Sequence, residues 1–288
     1  MAIAGQKQLI PGILGGLGPL AHIEFERRLI TKNVERGACT DQDHPVWILV
    51  GASDIPNRTQ SLAGQVPDCT PWLVRYGQLL ERAGADFLIV TCNTTHAFYH
   101  QVQPHLQIPW LHLMHCTSQV IAERYNVDRV GILATDGTLQ SGLYSRSLQE
   151  VGLVPIAPAL ASSTQKQVMQ SIYHTEWGIK ASGVRVSSLA LDNLKQAVDW
   201  LQREGAELVI AGCTELSVAL PKIADLALPW IDPLDVAADL TLDLSLGDRA
   251  LPSLLGSCLP IASAKHSKFP APSLPFLQGL KSLEVPQN

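Results

Sequence analysis

Two cysteines stand in surroundings that suit acid/base chemistry. Cys92 follows the apolar run 87–90 and precedes Asn93-Thr94-Thr95, while Cys213 follows 208–211 and precedes Thr214-Glu215. The carboxyl end of a strand is where open α/β sheets place ligands. A helix start just beyond it offers unpaired N–H groups, which lower a thiol's pKa and attract carboxylates. Both segments are therefore expected to pair a reactive sulfur with an anion cradle. Two such sulfurs on opposite sides of a carbon acid can remove a proton from one face and return one to the other through a planar carbanion. They would titrate together, one as thiolate and one as thiol. A single cysteine in an apolar strand is more often core than catalyst, and Cys39, Cys69, Cys116 and Cys258 are read that way.

What lifts Cys92 and Cys213 above that reading is an internal duplication that would position them. PGILGGLGP at 11–19 aligns with VGILATDGT at 130–138, setting Gly12 against Gly131. GADFLIVTCNTTH aligns with GAELVIAGCTELS, setting Cys92 against Cys213, and IPW at 108–110 aligns with LPW at 228–230. Three landmarks in one order, each about 120 residues apart, mark two copies of one unit. Short β-rich runs at 9–14, 46–50, 87–90, 130–133 and 208–211 alternate with amphipathic patterns such as 20–34 and 189–203, which end near Gly37 and Gly205. That alternation predicts parallel strands with crossover helices. The expected fold is α/β: two similar doubly wound parallel-sheet lobes related by a pseudo-twofold axis, with the active site in the cleft between them. The lobes are expected at 1–115 and 116–245, with the helical segment 232–246 packing back on the first. A Pro/Ser-rich tail is expected over 246–288.

Composition bounds the partners. The chain has 288 residues, 46% hydrophobic and 16% charged, with a net charge of −5 and no basic run. A small-molecule substrate is expected rather than a nucleic acid or an anionic membrane. No basic leader precedes an apolar segment at the start, and no apolar run approaches the ~18 residues of a membrane span. The expected location is the cytoplasm, with the six cysteines as free thiols.

With these residues in view, the chain resembles the aspartate/glutamate racemase superfamily, and within it the aspartate racemase branch, over about 9–245. GGLGPLA at 15–21, PNRT at 56–59, CNTTH at 92–96, GCTEL at 212–216 and GTLQSGLY at 137–144 carry the resemblance. It implies that Cys92 and Cys213 transfer the protons without pyridoxal phosphate or metal, in a homodimer. It implies further that Asn93, Thr94 and Thr214 hold the substrate, joined by Thr135, Thr138 and Leu17, the last standing where methionine is common. Arg58 and Lys180 match a family arginine and lysine that would meet carboxylates, which a dicarboxylic amino acid requires. His96 would either tune the Cys92 thiol or serve packing. Glu215 would either orient Cys213 or serve the helix start. Glutamate racemases usually carry an Asp-Ser-Gly loop and a histidine after the second Cys-Thr. Here those places read Gly15-Gly16-Leu17-Gly18 and Glu215, which favours aspartate.

Other readings stand beside this one: a glutamate or broad aspartate/glutamate racemase, hydantoin racemisation, maleate isomerisation or arylmalonate decarboxylation on the same fold, a two-lobed binding protein, or a silent relative. His112, His115 and Cys116 hint at a metal site but lack a full ligand count.

Overall fold

The computed structural model describes residues 8–251, and most of the expected tail lies outside them. The first lobe runs through β1 (Pro11–Gly15), α1 (Pro19–Glu35), β2 (Ile48–Gly51), α2 (Arg58–Leu62), α3 (Thr70–Arg82), β3 (Phe87–Val90) and α4 (Tyr99–Val102). After α5 (Leu113–Arg124), the second begins with β4 (Arg129–Ala134), α6 (Asp136–Ser141), α7 (Leu143–Glu150) and β5 (Val154–Ile156). It continues through α8 (Ser163–Tyr173), α9 (Ile179–Ser182), α10 (Ser188–Arg203), β6 (Leu208–Gly212), α11 (Leu216–Ala219), β7 (Trp230–Ile231) and α12 (Pro233–Ser245).

All strand pairs are parallel, in the orders β2-β1-β3 and β5-β4-β6-β7. A parallel bridge from Trp110 to Leu88 takes the place beside β3 that β7 holds beside β6, so the IPW and LPW motifs end equivalent units. The duplication extends to atoms. A Cβ on Gly12 would stand 2.8 Å from the Ala85 Cβ and 3.2 Å from the Leu80 Cβ. On Gly131 it would stand 3.2 Å from the Ala206 Cβ and 2.9 Å from the Leu201 side chain. In both lobes the returning helix presses so closely on the central strand that only glycine fits. The backbone N–H of Ile10 donates to the Asp86 carboxylate at 2.8 Å, and that of Arg129 to the Glu207 carboxylate at 2.9 Å.

Alternate strand residues feed different cores, as the period of two requires. Ile13, Ile89, Ile132 and Ile210 join Phe25, Leu113, Tyr144 and Leu242 in a core shared by both lobes. Leu14, Leu88 and Val90 pack outward under α3, while Leu133, Val209 and Ala211 pack under α8 and α10. Helix α12 does pack back on the first lobe. Arg28 and Lys32 of α1 and Arg36 at its C-cap, each about one turn from the next, face Asp232 at the N-cap of α12 and Asp239 and Asp243 within it at 2.7, 3.0 and 2.8 Å. Strands β5 and β7 were not foreseen, being three and two residues long. Among the described residues no helix is long and apolar enough to cross a membrane.

Candidate active site

Cys92 lies two residues beyond β3, is 6% exposed, and leads into a 3-10 turn over Thr94–Phe98. His96 fixes that turn. The Trp110 indole N–H donates to its Nε2 at 3.2 Å, so Nδ1 carries the hydrogen and donates to the Cys92 carbonyl at 2.9 Å. Burial pushes this imidazole down to about 4 against the pull of the carbonyl oxygens, so it stays neutral. Both ring nitrogens are thus engaged by the scaffold around the Cys92 turn.

Arg58, at the start of α2, brings its guanidinium into the neighbourhood of Cys92. It donates to the carbonyls of Leu17 at 2.8 Å, Pro56 at 3.1 Å and Ile55 at 3.3 Å, with Cys92 near enough for the two charges to interact. Burial would lower its pKa, but Cys92 and Tyr173 hold it above the ordinary value, a fixed cation beside the sulfur. Its Nε is buried without a partner. Leu17 contributes its backbone oxygen here, its side chain being 2% exposed in the outer core.

Cys213 has the opposite neighbour. Its sulfur donates to the Glu215 carboxylate at 3.0 Å, and the other Glu215 oxygen pairs with Lys180 of α9. Burial, then the Glu215 charge, push this thiol well above the usual range, only partly relieved by Lys180. The expectation that a helix start would lower both thiols is therefore wrong for Cys213. The helix that follows has four residues, and the Glu215 side chain faces the sulfur instead of capping it. Burial would lower the Lys180 pKa as well, yet Glu215 and Cys213 raise it, and the ammonium sits 5.6 Å above the Tyr173 ring.

Tyr173, the last residue of α8, was missed from sequence although it lies in the segment SIYHTEWGIK that supplied Lys180. Burial, then the Cys213 sulfur, push its phenol up to about 12, and its field is shared with Lys180, Glu215, Cys92 and Arg58. A protonated hydroxyl thus stands among the groups of both lobes.

The lobes meet through hydroxyls. Thr94 of the Cys92 turn lies 3.0 and 2.9 Å from Thr135 and Thr138, which open α6. Gly137 permits this, since a Cβ there would come 2.8 Å from the Thr59 hydroxyl and 3.0 Å from the Thr94 methyl. Asn93 accepts a hydrogen bond from Tyr144 at 2.6 Å. Thr214, buried at 3% exposure, lines a cavity of about 290 Å³ with Lys180, Glu215, Leu20, Ile179 and Val218. His112 meets His96 edge-on and His115 at a tilt, at ring separations of 5.1 and 4.6 Å. Among the described residues no three His, Cys, Asp or Glu side chains converge as metal ligands.

A model of the Asp/Glu/hydantoin racemase family matches residues 14–241. Over 235 residues, 77% of this chain and 91% of the relative, the sequence is 25% identical to the broad specificity amino-acid racemase RacX of Bacillus subtilis (strain 168). The fold is similar to that of Picrophilus torridus aspartate racemase, with TM-score 0.69 and 24% identity over 83% of this chain and 94% of that one. It is similar also to an aspartate racemase homologue from Pyrococcus horikoshii OT3, with TM-score 0.62 and 23% identity over 83% and 99%.

Proposed function

Because the chain belongs to the Asp/Glu/hydantoin racemase family, we propose that it interconverts L- and D-aspartate by a two-thiol, cofactor-independent proton transfer. The observation that carries this reading is the placing of Cys92 and Cys213 at equivalent strand ends with unlike neighbours, Arg58 beside one sulfur and Glu215 beside the other. Cys213 rests protonated, so in this state its thiol gives the proton to one face while Cys92 takes the α-proton from the other. Each turnover leaves the roles exchanged, and proton exchange with solvent restores them.

Recognition follows from charge. A dicarboxylic amino acid brings two carboxylates and one ammonium. The cleft offers Arg58, Lys180 and Glu215, with the Asn93 amide and the Thr94, Thr135, Thr138 and Thr214 hydroxyls as neutral partners. Lys180 leaves Glu215 in part to meet a carboxylate, and Glu215 then serves the ammonium. The similarity to a broad specificity racemase, together with the cavity beside Lys180, favours a second reading in which glutamate and longer side chains also enter.

Protein freed of pyridoxal phosphate and treated with chelator is expected to racemise L-aspartate in deuterated buffer, with one deuterium entering per inversion. Cys92→Ser and Cys213→Ser should each abolish inversion, because serine is a far poorer base near neutral pH. The Cys92 variant should still exchange the α-hydrogen of L-aspartate, and the Cys213 variant that of D-aspartate. Near-normal racemisation by either variant would return that cysteine to the core. Comparing kcat/KM for aspartate and glutamate separates the two substrate readings.

A further inference from the structure

The Asn93 side chain poses a question of orientation. It is 2% exposed beside Cys92, its oxygen accepts from the Tyr144 hydroxyl at 2.6 Å, and its amide nitrogen is buried with no partner. An unpaired buried N–H₂ costs free energy, and here it belongs to the residue that follows Cys92. A primary amide can sit either way round, presenting two donors or an acceptor. Turned over, it would confront an incoming carboxylate with another oxygen.

Tyr144 decides which. Its ring is 2% exposed. Burial, then the Asp232 carboxylate and the Cys213 sulfur, hold its phenol well above the ordinary range, so the hydroxyl keeps its proton and gives it to the Asn93 oxygen at 2.6 Å, with Thr117 as a second neighbour of the phenol oxygen. The residue reaches Asn93 from the second lobe. Gly142, in the left-handed region at φ 66°, ends α6 and starts α7, which a side chain would resist. The ring so delivered lies against Gly212, its Cε2 3.3 Å from where a Cβ would stand. A residue packed under the Cys213 strand therefore orients the amide beside Cys92.

We propose that Tyr144 is a positioning residue for the racemase reaction, its hydroxyl locking the Asn93 amide with the NH₂ turned into the cleft. There the NH₂ donates to the substrate α-carboxylate, which gains charge as the α-carbon becomes planar, so the bond strengthens in the transition state. The inference rests on the racemase reading given above.

Tyr144→Phe keeps the ring and removes only the hydroxyl. It is expected to lower kcat/KM for L-aspartate about tenfold, mostly through kcat, with little change in Tm. Asn93→Ala should lose at least as much, and adding Tyr144→Phe to it should change kcat/KM less than about twofold, since the hydroxyl then has nothing to orient. Asn93→Asp, nearly the same shape but without the NH₂, should fall with Asn93→Ala, and it keeps the test open should the tyrosine variant fold poorly. Wild-type kinetics in Tyr144→Phe, an undiminished loss in the Asn93→Ala background, or activity retained by Asn93→Asp would each overturn the assignment. A wild-type protein that races neither aspartate nor glutamate to the opposite isomer would instead sink the racemase reading itself.

Discussion

At the scale of single residues, the unequal charges beside the two sulfurs make the first testable difference. Glu215 holds the Cys213 proton, so Glu215→Gln should let that thiol ionise at lower pH while Lys180 keeps its charge. The limb of the pH–rate profile that reports Cys213 as base should move toward acid, and an unmoved limb would remove Glu215 from control of the thiol. His96 makes a separate prediction about stability. The native state keeps it neutral down to about 4, whereas an unfolded chain protonates it near 6.5. The unfolded state thus binds more protons between those values, and stability is full above about 6.5 and falls as pH drops toward 4. The loss is on the order of 3 kcal/mol, and His112, also depressed by burial, acts in the same direction. Denaturant midpoints at pH 7.5 and 5 should diverge in the wild type and lie closer together in His96→Gln, the remainder being due to His112. Of these residues, the cysteines were legible because the chain repeats them, and Arg58 and Lys180 because motifs frame them. The roles of Tyr144, although it closes the GTLQSGLY motif, and of Tyr173 were not, since a tyrosine's hydroxyl acquires its partner only when distant elements meet. The proton affinity of Cys213 was misjudged because sequence shows a helix start but not that Glu215 turns toward the sulfur.

At the scale of elements, α6 packs closely against α2 and the Cys92 turn. Gly137→Ala would drive a methyl group into Thr59 and Thr94. Overpacking of this kind costs ~1–3 kcal/mol, and the strain would fall on the helix that begins with Arg58. The variant should remain folded by thermal melting yet lose activity well beyond its change in stability; parallel losses of the two would refute the positional role of α6. The long amphipathic elements were readable because many residues vote for one period, and the expected 20–34, 189–203 and 232–246 match α1, α10 and α12 closely. Strand β5 carries Pro155 and only three residues, while β7 has two, so pairing with a neighbour defines them and no local pattern does.

At the scale of the whole molecule, the lobes are joined along α1 and α12 by charge. Arg28 is buried among Glu24, Asp232 and Asp235, and it donates to the Ser217 carbonyl at 3.2 Å, while Ser217 donates to Asp232 at 2.9 Å. The buried rung thus abuts the segment that follows Cys213. Arg28→Ala, which strands the Asp232 charge, should cost ~3–5 kcal/mol. Arg36→Ala, at the more exposed end with a side chain 28% accessible, should cost ~1 kcal/mol or less. Urea titrations of the two variants would test that order, and equal costs would show that burial does not grade the rungs. The charge asymmetry of the cleft carries a last consequence for the proposed reaction. The two enantiomers of a free amino acid have the same free energy, so the equilibrium constant is one whatever the protein does. The Haldane relation then obliges kcat/KM to be equal in both directions. A cleft with arginine at one sulfur and glutamate at the other has no reason to bind the two isomers alike, so kcat and KM should differ between L- and D-aspartate, and by the same factor. The lopsided site can choose which isomer it holds longer, but not which one it makes.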